Sequence, residues 1–352
     1  MHKTSIKYVP ERLSATCSAV FCMKLLLFNP GCRAGALTED SKIVDLHAAY
    51  ARYLNNVKGE TRPYELAGAI LPSSLDGIIR GGERSLKEAQ EVVRFALDNR
   101  QLTGLKGEQI LYDSANVEIL APLPSHSAKI ICFGGNFPSH TARARGIPVE
   151  EARKVMLETK PWGFIKLNQC VVGPTDSIVH PARTKELDYE IEVAAIIGRQ
   201  GKDIPVDSVD KYIFGYTALI DYSLRDAQEP QMPLTVALGK NFDTSAVLGP
   251  YIVPKHDMIN PNSLRTSLKV NGQIRQDGNT SEMVKGFPEI IAWYSRDLTF
   301  YPGDIVTCGT CGGTAMEKRN AEKDSSWFLK PGDVVEAEVE GIGVIRNNIV
   351  SK

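Results

Sequence analysis

The sequence has no long hydrophobic run. Its longest apolar stretches, such as Val193 to Ile197 and Ala218 to Ile220, fall far short of the roughly 20 residues that a membrane-spanning helix needs. A soluble chain with no membrane partner is the expectation. An excess of charge is missing as well. The 352 residues carry 41 Lys and Arg against 42 Asp and Glu, for a formal net charge of −1. A nucleic-acid partner, which calls for a basic surface, is therefore not expected. Cysteine is scarce and irregular. Seven Cys, an odd number without regular spacing, make no disulfide framework and point to a reducing, cytoplasmic setting. With 43% hydrophobic and 24% charged residues, the composition is that of a globular protein and not of a disordered one.

What is present divides the chain in three. Residues 1–22 are basic, with Glu11 their one acid, and read as an extension or leader ahead of Met23. Residues 23–124 read as a small N-terminal α/β domain. Lys24 to Phe28 and Ile43 to Leu46 look like strands around a polar loop, and His47 to Tyr53 and Ser85 to Asn99 have helical spacing. Leu86, Ala89, Val92, Val93 and Ala96 fall on one face of the second helix. The prolines of Ile119-Leu120-Ala121-Pro122-Leu123-Pro124-Ser125 mark a linker. Residues 125–352 read as one β-rich domain. Strand signals lie at Lys129 to Phe133, Glu190 to Ile197, Ile213 to Asp221, Leu268 to Val270, Asp304 to Cys308 and Asp333 to Val339. The fold class expected is α+β with a preponderance of strand.

The chemistry concentrates in Asp188-Tyr189-Glu190-Ile191-Glu192. On a strand, Tyr189, Ile191, Val193, Ala195 and Ile197 share an apolar face, while Asp188, Glu190 and Glu192 share the other. Same-face neighbours lie roughly 6.5 to 7 Å apart, so two acids there repel unless a cation joins them. An acid-studded strand is also what a solvated surface looks like. A second strand, Ile213 to Asp221, ends in a carboxylate that offers a third oxygen ligand, with Asp226 as the competing choice. An all-carboxylate set suits Mg2+ or Mn2+ better than Zn2+, which prefers His or thiolate.

Four motifs together, Asp188-Tyr189-Glu190-x-Glu192, Asp221 to Arg225-Asp226, Gly239-Lys240-Asn241-Phe242-Asp243-Thr244 and Lys269-Val270-Asn271-Gly272, resemble the fumarylacetoacetate hydrolase family in order and spacing. The resemblance covers about residues 129 to 350, and the part from Met23 is similar to the short N-terminal domain of bacterial members. It implies a mixed β-sandwich or roll, usually a homodimer, with Glu190, Glu192 and Asp221 as ligands of Mg2+ or Mn2+. It also implies that Lys240 and Lys166 hold a substrate oxyanion and that His140 opens a lid helix and acts as a base. Gly309-Thr310-Cys311-Gly312-Gly313-Thr314 occupies the place of the family's ligand loop, where Thr310 supplies a hydroxyl. No Gly-Lys-Ser/Thr follows, so the loop is not a nucleotide P-loop. Relatives place an acid three residues after the histidine. This chain has Arg143 there, which leaves Glu150 or Glu151 as substitutes. Cys308 and Cys311 read as coincidental thiols.

The function expected on this basis is metal-dependent hydrolysis of a carbon-carbon bond in a small 2-oxo or 1,3-diketo acid, of the acylpyruvate or fumarylpyruvate kind met in aromatic catabolism. The alternatives are a 2-oxo acid decarboxylase, keto-enol isomerase or hydratase of the same family, or a protein that binds metal and acid without turnover.

Overall fold

The computed structural model describes residues 22–123, 128–229 and 232–352. The expected extension at residues 1–22, Cys22 apart, and the end of the expected linker lie outside the described residues. Two compact units result, Met1–Ile119 and Leu120–Lys352. Among the described residues no helix is long and apolar enough to cross a membrane.

In the first unit, strands Lys24–Phe28 and Arg33–Leu37 form an antiparallel hairpin that Lys42–Asp45 and Leu111–Asp113 extend. The Arg33–Leu37 strand lies where the sequence reads as loop, because its buried positions are filled by Ala34 and Ala36, whose methyl groups give a weak alternation signal. Helix Leu46–Lys58 starts on Asp45, whose carboxylate accepts from the Ala48 amide at 3.0 Å, and stops at left-handed Gly59. The helix expected at Ser85 belongs to a longer segment, Leu75–Asp98, broken at Gly82, where φ is 56°. All five residues assigned to its apolar stripe are buried.

The second unit carries strands of two large open sheets and a two-stranded one, Leu187–Asp188 with Ser223–Leu224. In the larger, neighbouring strands run in the order Ala246–Pro254, Ile213–Asp221, Ile191–Ile197, Ile305–Thr310, Ile130–Gly134, Trp162–Lys166. The smaller runs Gln273–Asn279, Arg265–Val270, Val334–Val339, Gly343–Ser351, Ile178–His180. Both give side chains to one hydrophobic cluster, in which Tyr189, Ile191, Val193, Ala195 and Ile197 meet Leu268, Val335, Ala337 and Ile345. Each of the two Pro-Gly-Asp turns launches a strand, and Gly303 and Gly332 adopt φ of 96° and 98°, which a side chain would oppose. The unit is therefore a strand-rich mixture of α and β, as its sequence pattern implies.

The Ile191–Ile197 strand lies inside its sheet, paired with Ile213–Asp221 on one side and Ile305–Thr310 on the other. Its polar side is consequently not a solvated surface. All seven of its residues are buried.

Candidate metal centre and proton relay

Strand register assembles the acids. Ile191 opposes Ile220, and just beyond the ladder the Asp221 amide donates to the Glu190 carbonyl at 2.9 Å. Asp221 thus comes to lie across from Glu190, while Glu192 is two residues along the same face. One carboxylate oxygen from each of Glu190, Glu192 and Asp221 lies within 4.8 Å of the others. The three residues are 5%, 3% and 0% exposed. Like charges at that spacing and depth require positive charge between or beside them.

Three buried cations supply part of it. Arg225 donates through Nε to Asp188 Oδ2 at 2.8 Å and through Nη2 to Glu190 Oε1. Lys240 Nζ reaches between Glu190 Oε2 at 2.5 Å and Asp221 Oδ2 at 2.6 Å. Lys166 Nζ lies 2.6 Å from Asp221 Oδ1 and donates to the Lys240 carbonyl at 2.5 Å and to the Tyr222 carbonyl at 3.3 Å. Four carboxylates, Asp188 included, face three cations, and Glu192 is the acid left over. No salt bridge reaches it among the described residues, and its Oε2 is buried without a hydrogen bond of ordinary geometry.

The protonation balance follows. Burial alone would raise the Glu190 carboxyl, but Arg225 and Lys240 hold it well below the usual range. Burial, then the charges of Asp221 and Glu190, push Glu192 well above it. Lys240 is raised against the effect of burial by Asp221 and Glu190, so it stays an ammonium. Lys240 therefore neutralises two members of the trio without serving the third. A dication fits what remains: hard oxygen donors, one uncompensated, with no imidazole or thiolate among them. The nearby Cys132 thiol is pushed far up by burial and by Glu192 and Asp221.

The other acids of these motifs have different work. Asp226 accepts from the Thr184 hydroxyl at 2.5 Å and the Lys185 amide at 2.8 Å, whereas Asp221 is the acid that lies with Glu190 and Glu192. Asp188 does not join the trio. Its carboxylate accepts from the amides of Ala315 at 2.8 Å and Met316 at 3.1 Å, at the start of helix Ala315–Glu322, as well as from Arg225. An anion there satisfies free N–H groups and complements the helix dipole. Asp188→Ala, which strands a buried guanidinium, is expected to cost about 3–5 kcal/mol of stability, checked by denaturant unfolding. A loss below about 1 kcal/mol would contradict this account.

His140 lies on helix Pro138–Arg145. Its partner is one that the local sequence around it does not reveal: Nδ1 is 2.5 Å from Glu317 Oε1. An ionised carboxylate only accepts, so Nδ1 carries the hydrogen, and in the neutral ring Nε2 is the nitrogen with the lone pair. Glu317 is held in turn by the Gly313 amide at 2.8 Å and by a capping box with Thr314. Glu150 and Glu151 are exposed on the first turn of Val149–Glu158, and Arg143 lies 4.0 Å from the far oxygen of Glu317. Thr314-Ala315-Met316-Glu317 is legible as a helix start; that its acid also serves a histidine 177 residues away is not.

Thr310 lies beside the trio with its hydroxyl already engaged, donating to the Ile191 carbonyl and accepting from Gln276, both at 2.8 Å. Cys308 and Cys311 are free buried thiols.

Comparison with known proteins supplies context for this arrangement. The sequence model described as fumarylacetoacetate (FAA) hydrolase C-terminal matches residues 129–350. The chain is 35% identical over 280 residues to the mitochondrial oxaloacetate tautomerase of Rattus norvegicus, covering 80% of each protein. It is 30% identical over 316 residues to an oxaloacetate tautomerase of Bacillus subtilis, covering 90% of this chain and 95% of that one. Among solved structures, the maleylpyruvate hydrolase of Sphingobium sp. SYK-6 in complex with manganese(II) ion and pyruvate matches at a TM-score of 0.66. The identity is 25%, over 94% of this chain and 99% of that one.

Proposed function

Because the chain belongs to the fumarylacetoacetate hydrolase family, we propose that it interconverts the keto and enol forms of a small dicarboxylic 2-oxo acid of the oxaloacetate type, with Glu190, Glu192 and Asp221 holding Mg2+ or Mn2+. The observation that carries this reading is a buried acid trio short of one positive charge, together with a His140-Glu317 couple whose helix Ala315–Glu322 also donates to Asp188. Two relatives named for oxaloacetate tautomerisation, aligned with 80% and 90% of the chain, support it.

When bound, the cation supplies a Lewis acid that stabilises an enolate. His140 handles the proton. Its Nε2 takes one from the enol hydroxyl, and the resulting imidazolium delivers one to the neighbouring carbon; the reverse sequence forms the enol. Glu317 fixes the tautomer beforehand and steadies the imidazolium while it exists. Lys240 spends two of its three N–H donors on Glu190 and Asp221, leaving one for a substrate oxygen. Lys166 donates to two carbonyls and stands 2.6 Å from Asp221 Oδ1 as an ion pair, which makes it a group that positions Asp221.

Stopped-flow loss of enol absorbance tests the reading. Wild-type protein with Mn2+ or Mg2+ is expected to accelerate ketonisation of oxaloacetate enol, and chelation to abolish the effect. No acceleration by protein with metal demonstrably bound would reject the tautomerase reading. Hydrolysis of an acylpyruvate is the second reading. It is favoured by Glu317, which supplies the support for His140 needed to activate water. Pyruvate release from an acylpyruvate with kcat/KM above that of ketonisation would put hydrolysis first.

A further inference from the structure

The backbone between the two glutamates has an unusual pair of partners. In an antiparallel ladder the N–H and C=O of one residue point to the same side, and successive residues alternate. The Glu190 carbonyl points toward Ile213–Asp221, so both polar groups of Ile191 point the other way, toward Ile305–Thr310. There the ladder bulges: Glu192 opposes Thr310, but Ala194 opposes Thr307. Gly309, with φ of 84°, lies in the bulge. Beside the bulge two buried side chains reach the Ile191 backbone. Gln276 Oε1 accepts from the Ile191 amide at 3.0 Å, and the Thr310 hydroxyl donates to the Ile191 carbonyl at 2.8 Å. Gln276 Nε2 closes the loop by donating to that hydroxyl at 2.8 Å and to the Cys311 carbonyl at 2.9 Å.

Resting on the reading of Glu190 and Glu192 as metal ligands, we propose that Gln276 and Thr310 form a clamp on Ile191 that sets the direction of both glutamates. Gln276 is fully buried and comes from the smaller sheet. It is held close to the 311–313 segment. A Cβ on Gly313 would lie 2.0 Å from the Arg275 carbonyl and 3.1 Å from the Gln276 Cα, and one on Gly278 would lie 2.7 Å from Cys311 Sγ. The amide is the right group for the position, since it both donates and accepts. A carboxylate would lose the donor and add a buried negative charge near Glu192, which already lacks a partner. A peptide rotation at Ile191 would turn Glu190 and Glu192 away from Asp221, because strand side chains follow the pleat. Thr310 is therefore a positioning residue.

The test is Mn2+ titration followed by electron paramagnetic resonance on wild type, Gln276→Leu, Thr310→Val, the double variant and Thr310→Ser, with near-ultraviolet circular dichroism as the check on folding. Gln276→Leu and Thr310→Val are each expected to weaken Mn2+ binding by about 10–100-fold. The double variant is expected to be no more than about twofold weaker than the worse single one, because the two act as a unit. Thr310→Ser, which keeps the hydroxyl, retains wild-type affinity. Folded single variants that bind Mn2+ like wild type, or losses that multiply in the double variant, would overturn the clamp alone. A wild type that binds no Mn2+ would instead overturn the metal reading beneath it. Thr310→Val compared with Thr310→Ser decides the matter even if Gln276→Leu fails to fold.

Discussion

Glu192→Gln is expected to weaken Mn2+ binding by more than about 100-fold, beyond the 10–100-fold that loss of a supporting residue typically costs, while the metal-free protein melts no lower than wild type. The two halves have one cause. Glu192 is buried, has no salt bridge among the described residues, and is pushed toward protonation by burial and by its acidic neighbours. A neutral amide of the same shape therefore removes a cost in the metal-free protein and a ligand in the metal-bound one. Asp221→Ala behaves in the opposite sense in the metal-free state. Asp221 neutralises Lys166 and Lys240, and stranding buried cations costs about 3–5 kcal/mol, or about 6–20 °C in Tm for a unit of this size. Both variants lose metal, but only the second is expected to lose stability. Calorimetric titration and thermal melts read the two effects separately. Undiminished Mn2+ affinity in Glu192→Gln would remove it from the ligand set.

His140→Ala is expected to lower kcat for ketonisation by about 10²–10⁴-fold, the usual contribution of a positioned acid-base group, with Mn2+ affinity within a few-fold of wild type. Glu317→Gln should fall between wild type and that loss. The amide oxygen can still accept from Nδ1, but the charge that steadies the imidazolium is gone. Glu150→Gln and Glu151→Gln, on an exposed helical turn, should retain wild-type rates. The measurement is the same absorbance assay run at saturating Mn2+. Full activity in His140→Ala would assign the proton transfer to another group, and a large loss in Glu151→Gln would restore the acid suggested by sequence proximity.

Much of the second unit was legible in the sequence. The strand from Ile213 to Asp221 coincides with its sequence pattern, and the strands expected from Lys129, Glu190, Asp304 and Asp333 begin within a residue of expectation. Each opens on β-branched residues that favour a strand, and two follow Pro-Gly-Asp turns whose glycines adopt the backbone that the motif requires. Arg33–Leu37 was illegible because alanine methyls carry its pattern. The helical turns from Leu75 to Gly81 are illegible because Gly77, Gly81 and Gly82 interrupt the spacing, which becomes regular only from Ser85. Glu190, Glu192 and Asp221 could be singled out as candidates because a strand places alternate residues on one face and a terminal acid completes the set. The depth of their burial could not, since it depends on strands that flank them from distant parts of the chain.

By itself, then, the sequence determined the strand-rich character of residues 125–352 and the acids that share a face. These rest on local periodicity and on motifs a few residues long. Only the tertiary structure decided which acid has no counter-charge, which carboxylate supports His140 and why Thr310 holds backbone. Each of those depends on partners brought together across 35 to 177 residues, and a buried charge takes its properties from whatever the fold has packed around it.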